Sequence, residues 1–181
     1  MKDPKNLVWM DLEMTGLDPD RDTILEIATI VTDGQLQTLG EGPVFAIHHT
    51  EEQLERMDPW CVEHHGDSGL SKRCRDSKIS IEEAEKKTLG FIREFCSENT
   101  APLCGNSIHQ DRRFLVRYMP LLNEFLHYRI IDVSSVKELV ERWYPDEFRP
   151  MHKKKSHLAL DDVRESITEL SEYRKLFFRK P

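Results

Sequence analysis

The sequence predicts an α/β fold: a mixed five-stranded sheet flanked by helices. β-preferring segments come first along the chain, at 7–14, at 24–32 and up to about residue 49. Short strands that alternate with helical segments follow them. A meander followed by strand–helix alternation gives a sheet with antiparallel and parallel parts. With 181 residues, no repeat and no long linker, we expect one domain over 1–181.

The meander begins with LVWMDLEM at 7–14 and continues with ILEIATIVT at 24–32. Both segments are rich in β-branched and apolar residues, which favour strands. The pair Asp33-Gly34 is typical of a hairpin turn, and it predicts a third strand that ends near VFAIHH at 44–49.

Helical segments then begin at recognisable caps. Asp58 precedes Pro59, which suits the first position of a helix. Ser80 and Glu83 have the spacing of a capping box, and they predict a helix through about Ser97.

The second half of the chain alternates between strands and helices. A short strand at 103–104 precedes a helix, and RIIDV at 129–133 predicts the fifth strand. Ser135 and Glu138 form a second potential capping box, and an amphipathic pattern predicts a last helix over about 159–177.

Composition excludes several classes of protein. The 26 basic and 33 acidic side chains give a net charge of −7, which argues against a protein that coats long nucleic acid. We expect no membrane association, because no apolar run approaches the ~18 residues that span a bilayer. No C-x-x-C pair occurs, which favours reduced thiols and a cytoplasmic protein; the cysteines are Cys61, Cys74, Cys96 and Cys104.

Two carboxylates in the first predicted strand need a physical explanation. Asp11 and Glu13 are two residues apart, so they project from the same face, about 7 Å apart along the strand. Like charges on a half-buried surface repel each other and lose water together. A bound cation would remove that cost.

Further acidic residues lie where strands end and helices start. Asp111 is predicted in the first turns of a helix, and Asp162 at the start of the last one. In an α/β domain such positions line one cleft, where four carboxylates would balance two divalent cations, Mg²⁺ or Mn²⁺. The alternative for each of these two residues is an ordinary helix cap. The other acids are interpreted as structural or solvated: Glu26, Asp132 and Asp161.

His157 is the candidate general base. On one continuous helix, His157 and Asp162 would point ~140° apart, so they share a cleft only if His157 lies in the preceding loop. A reference pKa near ~6.5 suits the removal of a proton from water. A surface histidine is the alternative.

These motifs resemble a known family. Asp11-x-Glu13, Asp111 and His157-x-Ala159-x-x-Asp162 are similar to the DEDDh group of 3′-to-5′ exonucleases, which has the ribonuclease H-like fold. The similarity covers essentially the whole chain, in the blocks DLEMTGLD, EIATIVTD, GNS…QDRRFL, HYRIIDVS and LDD-x-RES.

The resemblance implies two-metal phosphodiester hydrolysis. By it, Asp11 bridges both ions, Glu13 and Asp162 complete one metal site, Asp111 holds the other ion, and His157 is the general base. Two ions of this kind activate water and stabilise the leaving oxygen.

The resemblance also implies a substrate site for very short RNA. It places Leu17 as a wedge and Trp60 as a stacking platform against the bases. The 5′ phosphate would be surrounded by Arg129, Ser134 and Ser135, with His65 nearby. Ser107 is a further candidate for substrate binding. Tyr128 would reach the neighbouring subunit of a homodimer. From sequence alone, the alternatives to these substrate contacts are that Trp60 is a core aromatic and that Arg129 is a surface charge.

We therefore expect an exoribonuclease that degrades short oligoribonucleotides, especially 5′-phosphorylated dinucleotides, to nucleoside 5′-monophosphates. Long duplex nucleic acid is not an expected partner. Two alternatives stay open: an exonuclease that trims or proofreads longer RNA or DNA 3′ ends, and a non-catalytic nucleic-acid adaptor.

Overall fold

The computed structural model of the protein describes residues 2–149 and 158–178. Within them the strands are β1 (Leu7–Met14), β2 (Ile24–Thr32), β3 (Thr38–Glu41), β4 (Phe45–Ala46), β5 (Pro102–Gly105) and β6 (His127–Asp132). The helices are α1 (Glu51–Glu55), α2 (Pro59–Asp67), α3 (Leu70–Asp76), α4 (Ile81–Phe95), α5 (Ile108–Tyr118), α6 (Pro120–Phe125), α7 (Val133–Trp143) and α8 (Ala159–Phe177).

The strands form one mixed sheet with the order β3-β2-β1-β5-β6, and β4 pairs separately with β2. β1 is antiparallel to β2 and parallel to β5, which is in turn parallel to β6. The predicted mixed α/β architecture is confirmed, with β4 as a sixth strand.

The central strands are apolar because helices cover both faces of the sheet. All nine residues of β2 are buried. Along β1, Val8 and Met10 pack into the core beneath α4, α5 and α6, while Trp9 packs on the opposite face with residues of α7 and α8. Side chains alternate along a strand, so Asp11 and Glu13 share the α8 side with Trp9.

The region after β2 differs from the prediction. Instead of one third strand ending near 44–49, two short strands, β3 and β4, both pair with β2. The hairpin does form, but the residue in the left-handed conformation is Leu36 (φ 69°), because the turn is longer than the Asp33-Gly34 pair. Its closing bonds run from the Asp33 N–H to the Gln37 carbonyl and from the Leu36 N–H to the Asp33 carbonyl.

Helix caps also show where local patterns failed. Asp58 caps α2 as predicted, and Ser80 caps α4, but Glu83 forms an ion pair with Lys87 instead of closing a box. The predicted box at Ser135 is wrong, since α7 begins at Val133 with Asp132 as its cap. Asp132 accepts from the Ser134 N–H at 3.0 Å and so starts the helix earlier.

Three short helices, α1, α3 and α6, were not predicted, because segments of five to seven residues carry too little periodicity. The last helix has the predicted bounds. All four cysteines are buried free thiols. In the described part of the chain, none of the helices combines the length and apolarity that a membrane span needs.

Candidate active site

Three carboxylates meet between β1 and α8. Asp11 and Glu13 project from β1, and Asp162 lies in the first turn of α8. Each of the three offers an oxygen, and these oxygens lie within 4.8 Å of one another. We call these three residues the acidic cluster. Asp11 and Glu13 of β1 therefore lie in one cleft with Asp162 of the last helix, as the sequence predicts.

The electrostatics of the acidic cluster favour a cation. Burial, followed by the neighbouring charges of Asp162, Glu26 and Asp111, raises the pKa of Glu13 to about 8. The carboxylate accordingly holds a proton at neutral pH unless a positive charge replaces it. Half-buried oxygen ligands at this spacing fit a hard divalent ion, so the residues suit a metal.

Asp111 is adjacent to the cluster but is not one of its three members. It lies in the first turn of α5 and is buried, and its Oδ1 accepts a hydrogen bond from the Leu12 N–H at 2.9 Å. Burial raises the pKa of Asp111, although this hydrogen bond opposes the shift. The bond fixes Asp111 against the segment of β1 between Asp11 and Glu13.

A partly buried ion pair supports the cluster from β2. Glu26 lies opposite Glu13 in the strand register and pairs with Arg73 of α3. Its second oxygen accepts from the Ala159 N–H at the start of α8, at 3.4 Å. The interpretation of Glu26 as a structural carboxylate agrees with these contacts, which join β2, α3 and the helix that carries Asp162.

His65 lies beneath the cluster. Its Nε2–H donates to the Met14 carbonyl at 2.9 Å, and its Nδ1 lies 3.9 Å from Glu13. The ring is 2% exposed, and burial lowers the pKa of His65. In this conformation His65 contacts the strand that carries Asp11 and Glu13.

Asp161 is excluded from the cluster. Its carboxylate faces Arg164 on the same helix, with 3.0 Å between Oδ1 and Nη1. This agrees with its interpretation as a solvated surface charge.

Two serines and a carboxylate form a second polar site at the ends of β5 and β6. The Ser107 N–H donates to Asp132 Oδ1 and to Ser134 Oγ, both at 3.0 Å, and the two serine Oγ atoms lie 3.2 Å apart. Ser107 has a positive φ of 50°, a conformation that costs energy for a serine. We call Ser107, Ser134 and Asp132 the serine cradle.

Other predicted substrate residues are accessible. Ser135 and Arg129 are exposed, and the Arg129 guanidinium lies 5.4 Å from the centre of the exposed Tyr128 ring. Leu17 is 65% exposed, and Trp60 is 66% exposed, with its ring stacked on His64. Exposure excludes the alternative that Trp60 is a core aromatic.

One predicted residue lies outside the described residues: His157.

Sequence reasoning missed Asn106 and Arg73 as supports of the two sites. Asn106 directly follows a strand that ends beside the cradle, and this position was its one usable indication. Nothing local distinguishes Arg73 from the other basic residues of its helix.

Known proteins identify the family. The exonuclease (RNase_T) family model matches residues 8–170. The chain is 56% identical to the oligoribonuclease of Pseudomonas aeruginosa over 179 residues, 99% of each chain. It is 54% identical to that of Colwellia psychrerythraea over 174 residues, 96% of each. This chain belongs to the oligoribonuclease family. As an exonuclease-family member it is a phosphodiester-hydrolysing nuclease, and the acidic cluster accords with divalent metal use.

Solved structures share the fold of this oligoribonuclease-family chain. Exonuclease I of E. coli in complex with single-stranded DNA superimposes with a TM-score of 0.75 at 16% identity, over 97% of this chain and 41% of that one. Exonuclease I of Methylocaldum szegediense gives 0.71 at 18% identity, over 95% and 41%. The ribonuclease H-like fold expected from the motifs is thereby confirmed.

Proposed function

We propose that the chain is a 3′-to-5′ exoribonuclease that degrades very short oligoribonucleotides, above all 5′-phosphorylated dinucleotides, to nucleoside 5′-monophosphates. The observation that carries the proposal is the convergence of Asp11, Glu13 and Asp162 to within 4.8 Å in a chain of the oligoribonuclease family. A carboxylate whose pKa is raised to about 8 by its surroundings is costly to retain unless a cation binds there.

The acidic residues have distinct tasks in this proposal. Two ions, Mg²⁺ or Mn²⁺, would be bound here, and each of Asp11, Glu13 and Asp162 would contact one or both of them. Asp111 would contribute to the second ion site from its position against Leu12. Such ions, when bound, supply Lewis-acid stabilisation of the charge that develops on the phosphodiester oxygens. His157, before α8, takes the proton from the attacking water.

The proposed substrate side chains belong to different elements of the fold. Trp60 offers a ring face to a base, and stacking of this kind is tolerant of sequence. Leu17, exposed on the loop after β1, would wedge against a base. Arg129, with the hydroxyls of Ser107, Ser134 and Ser135, suits a terminal phosphate, which carries more charge than an internal diester.

We also propose a homodimer. β6 is the last strand of the sheet path, and its exposed side chains include Tyr128 (73%) and Ile130 (37%). An apolar edge strand favours pairing with another chain. Mixing Tyr128→Ala and Asp11→Ala proteins should restore activity if the tyrosine acts in the active site of its partner, and two inactive proteins that stay inactive together would contradict this.

The four buried free thiols suit a reducing compartment, so we place the enzyme in the cytoplasm.

The decisive experiment is a product time course on a labelled 5′-phosphorylated diribonucleotide and on a twenty-nucleotide RNA, each with Mn²⁺ or with EDTA. We expect metal-dependent release of mononucleotides and faster turnover of the dinucleotide. Faster consumption of the long RNA would favour the trimming alternative, and no hydrolysis of either would favour a non-catalytic adaptor.

A further inference from the structure

A partly buried polar network joins the serine cradle to the helix that carries Asp162. Its centre is Asn106, which follows β5 and precedes Ser107. The Asn106 amide nitrogen donates to Ser166 Oγ at 2.8 Å and to Glu169 Oε2 at 3.0 Å. Both partners are on α8 and are buried, at 5% and 1% exposure.

The orientation of Asn106 follows from the chemistry of its partners. An ionised carboxylate only accepts hydrogen bonds, so the NH₂ group of the amide must face Glu169. The carbonyl oxygen therefore faces the cradle, where it accepts the Ser134 hydroxyl at 3.1 Å. Glu169 is itself held by the Tyr173 hydroxyl at 2.7 Å, so it is well fixed.

The same network reaches the acidic cluster. The Ser166 hydroxyl donates to the backbone carbonyl of Asp162 at 2.9 Å. An unbroken series of hydrogen bonds therefore runs from Asp162 through Ser166 and Asn106 to Ser134. Fully satisfied polar networks of this kind rigidify their surroundings, so the spacing between the metal ligands and the cradle is fixed by α8.

We propose that Asn106 is a positioning residue that fixes the serine cradle against α8. It thereby sets the enzyme's preference for substrates whose 5′ phosphate lies one nucleotide away from the cleaved bond. This inference rests on the proposed function, because it takes the cradle to hold that phosphate. Asn106 acts on specificity, because it accepts a hydrogen bond from Ser134 and the cradle serines would contact the substrate.

The test is Asn106→Ala, assayed on a 5′-phosphorylated and a 5′-hydroxyl diribonucleotide. Loss of the amide removes the acceptor of the Ser134 hydroxyl and so loosens the position of this side chain. KM for the phosphorylated substrate should therefore rise about ten-fold. We expect kcat to change less than about two-fold and the 5′-hydroxyl substrate to be nearly unaffected. Calorimetry with Mn²⁺ alone should show wild-type uptake, because the acidic cluster stays in place.

Matched variants separate positioning from general damage. Thr168→Ala removes another α8 hydroxyl, which donates to the Arg164 carbonyl of the same helix, and it should leave the preference unchanged. Ser166→Ala removes one of the two anchors of Asn106 and should reduce the preference by about three-fold. Glu169→Gln retains an acceptor for the amide, so it should have a smaller effect than Glu169→Ala.

Several outcomes overturn the inference. If Asn106→Ala keeps the full preference, or if it weakens both substrates equally, Asn106 does not position the cradle. Should that variant fail to fold, an unchanged preference in both Ser166→Ala and Glu169→Ala decides against the inference. A wild-type enzyme that hydrolyses dinucleotides without any preference for the 5′ phosphate contradicts the proposed phosphate site itself.

Discussion

In the acidic cluster, three carboxylates converge to within 4.8 Å, and the pKa of Glu13 is raised to about 8. In the serine cradle, a single carboxylate, Asp132, receives the N–H groups of Ser107 and Ser134 at 3.0 Å each. The cluster thus leaves the cost of burial and of electrostatic repulsion for a ligand to relieve. The cradle, by contrast, satisfies its polar groups from within the chain. One site is incomplete without a cation, and the other is preorganised.

We expect the largest effect from removal of Asp11, the carboxylate that both proposed ions would share. Asp11→Ala should abolish metal-dependent hydrolysis, because the remaining ligands no longer balance the ions. The measurement is mononucleotide release in Mn²⁺. Asp161→Asn is the matched control, since Asp161 faces Arg164 outside the cluster, and it should keep activity. Turnover by Asp11→Ala at the wild-type rate would remove this residue from the mechanism.

The next largest effect is expected at His157. Loss of a general base slows a reaction by roughly 10²–10⁴-fold, so His157→Ala should reduce kcat by that amount while calorimetry still detects Mn²⁺ uptake. His152→Ala is the control on the same stretch of chain. A rate within two-fold of wild type would assign the proton transfer elsewhere.

A smaller effect concerns pH and stability. Folding raises the pKa of Glu13 from 4.5 to about 8, so between these values the folded chain holds a proton that the unfolded chain has lost. Without divalent ions, stability should therefore fall as pH rises through this window, by more than about 1 kcal/mol. Urea unfolding at pH 5 and pH 8 in EDTA measures it.

Glu13→Gln has no such proton to lose, so its stability should vary less with pH. Added Mn²⁺ should stabilise the wild type more at pH 8 than at pH 5, because the ion competes with the proton. Equal pH profiles for wild type and Glu13→Gln would show that burial and the neighbouring charges do not raise the pKa of Glu13.

We expect the smallest effect at the cap of α7, in the serine cradle. Asp132→Ala removes the cap of α7 and should cost about 1–2 kcal/mol of unfolding free energy. Ser135→Ala, which the sequence pattern would make equally costly, should change stability by less than about 0.5 kcal/mol. Thermal or urea unfolding decides between them, and the opposite ranking would restore Ser135 as the cap.

Local patterns determined a large part of the fold. β1, β2 and α8 have their predicted bounds, because long apolar or amphipathic segments are specified by their own periodicity. The same alternation along β1 correctly placed Asp11 and Glu13 on one face. The patterns failed at Ser135, where two residues with capping chemistry compete and the neighbouring strand β6 ends in the better cap, Asp132.

The amino-acid order alone is enough to predict the spacing of Asp11 and Glu13, the position of Asp162 at the start of a helix, and the family to which these motifs belong. How these residues are supported depends on the packed fold. Asn106 bonds to residues sixty or more positions away, and Glu26 bonds to Arg73 from another element. Hydrogen bonds between distant segments exist only after the sheet and α8 have packed, so no local pattern encodes them.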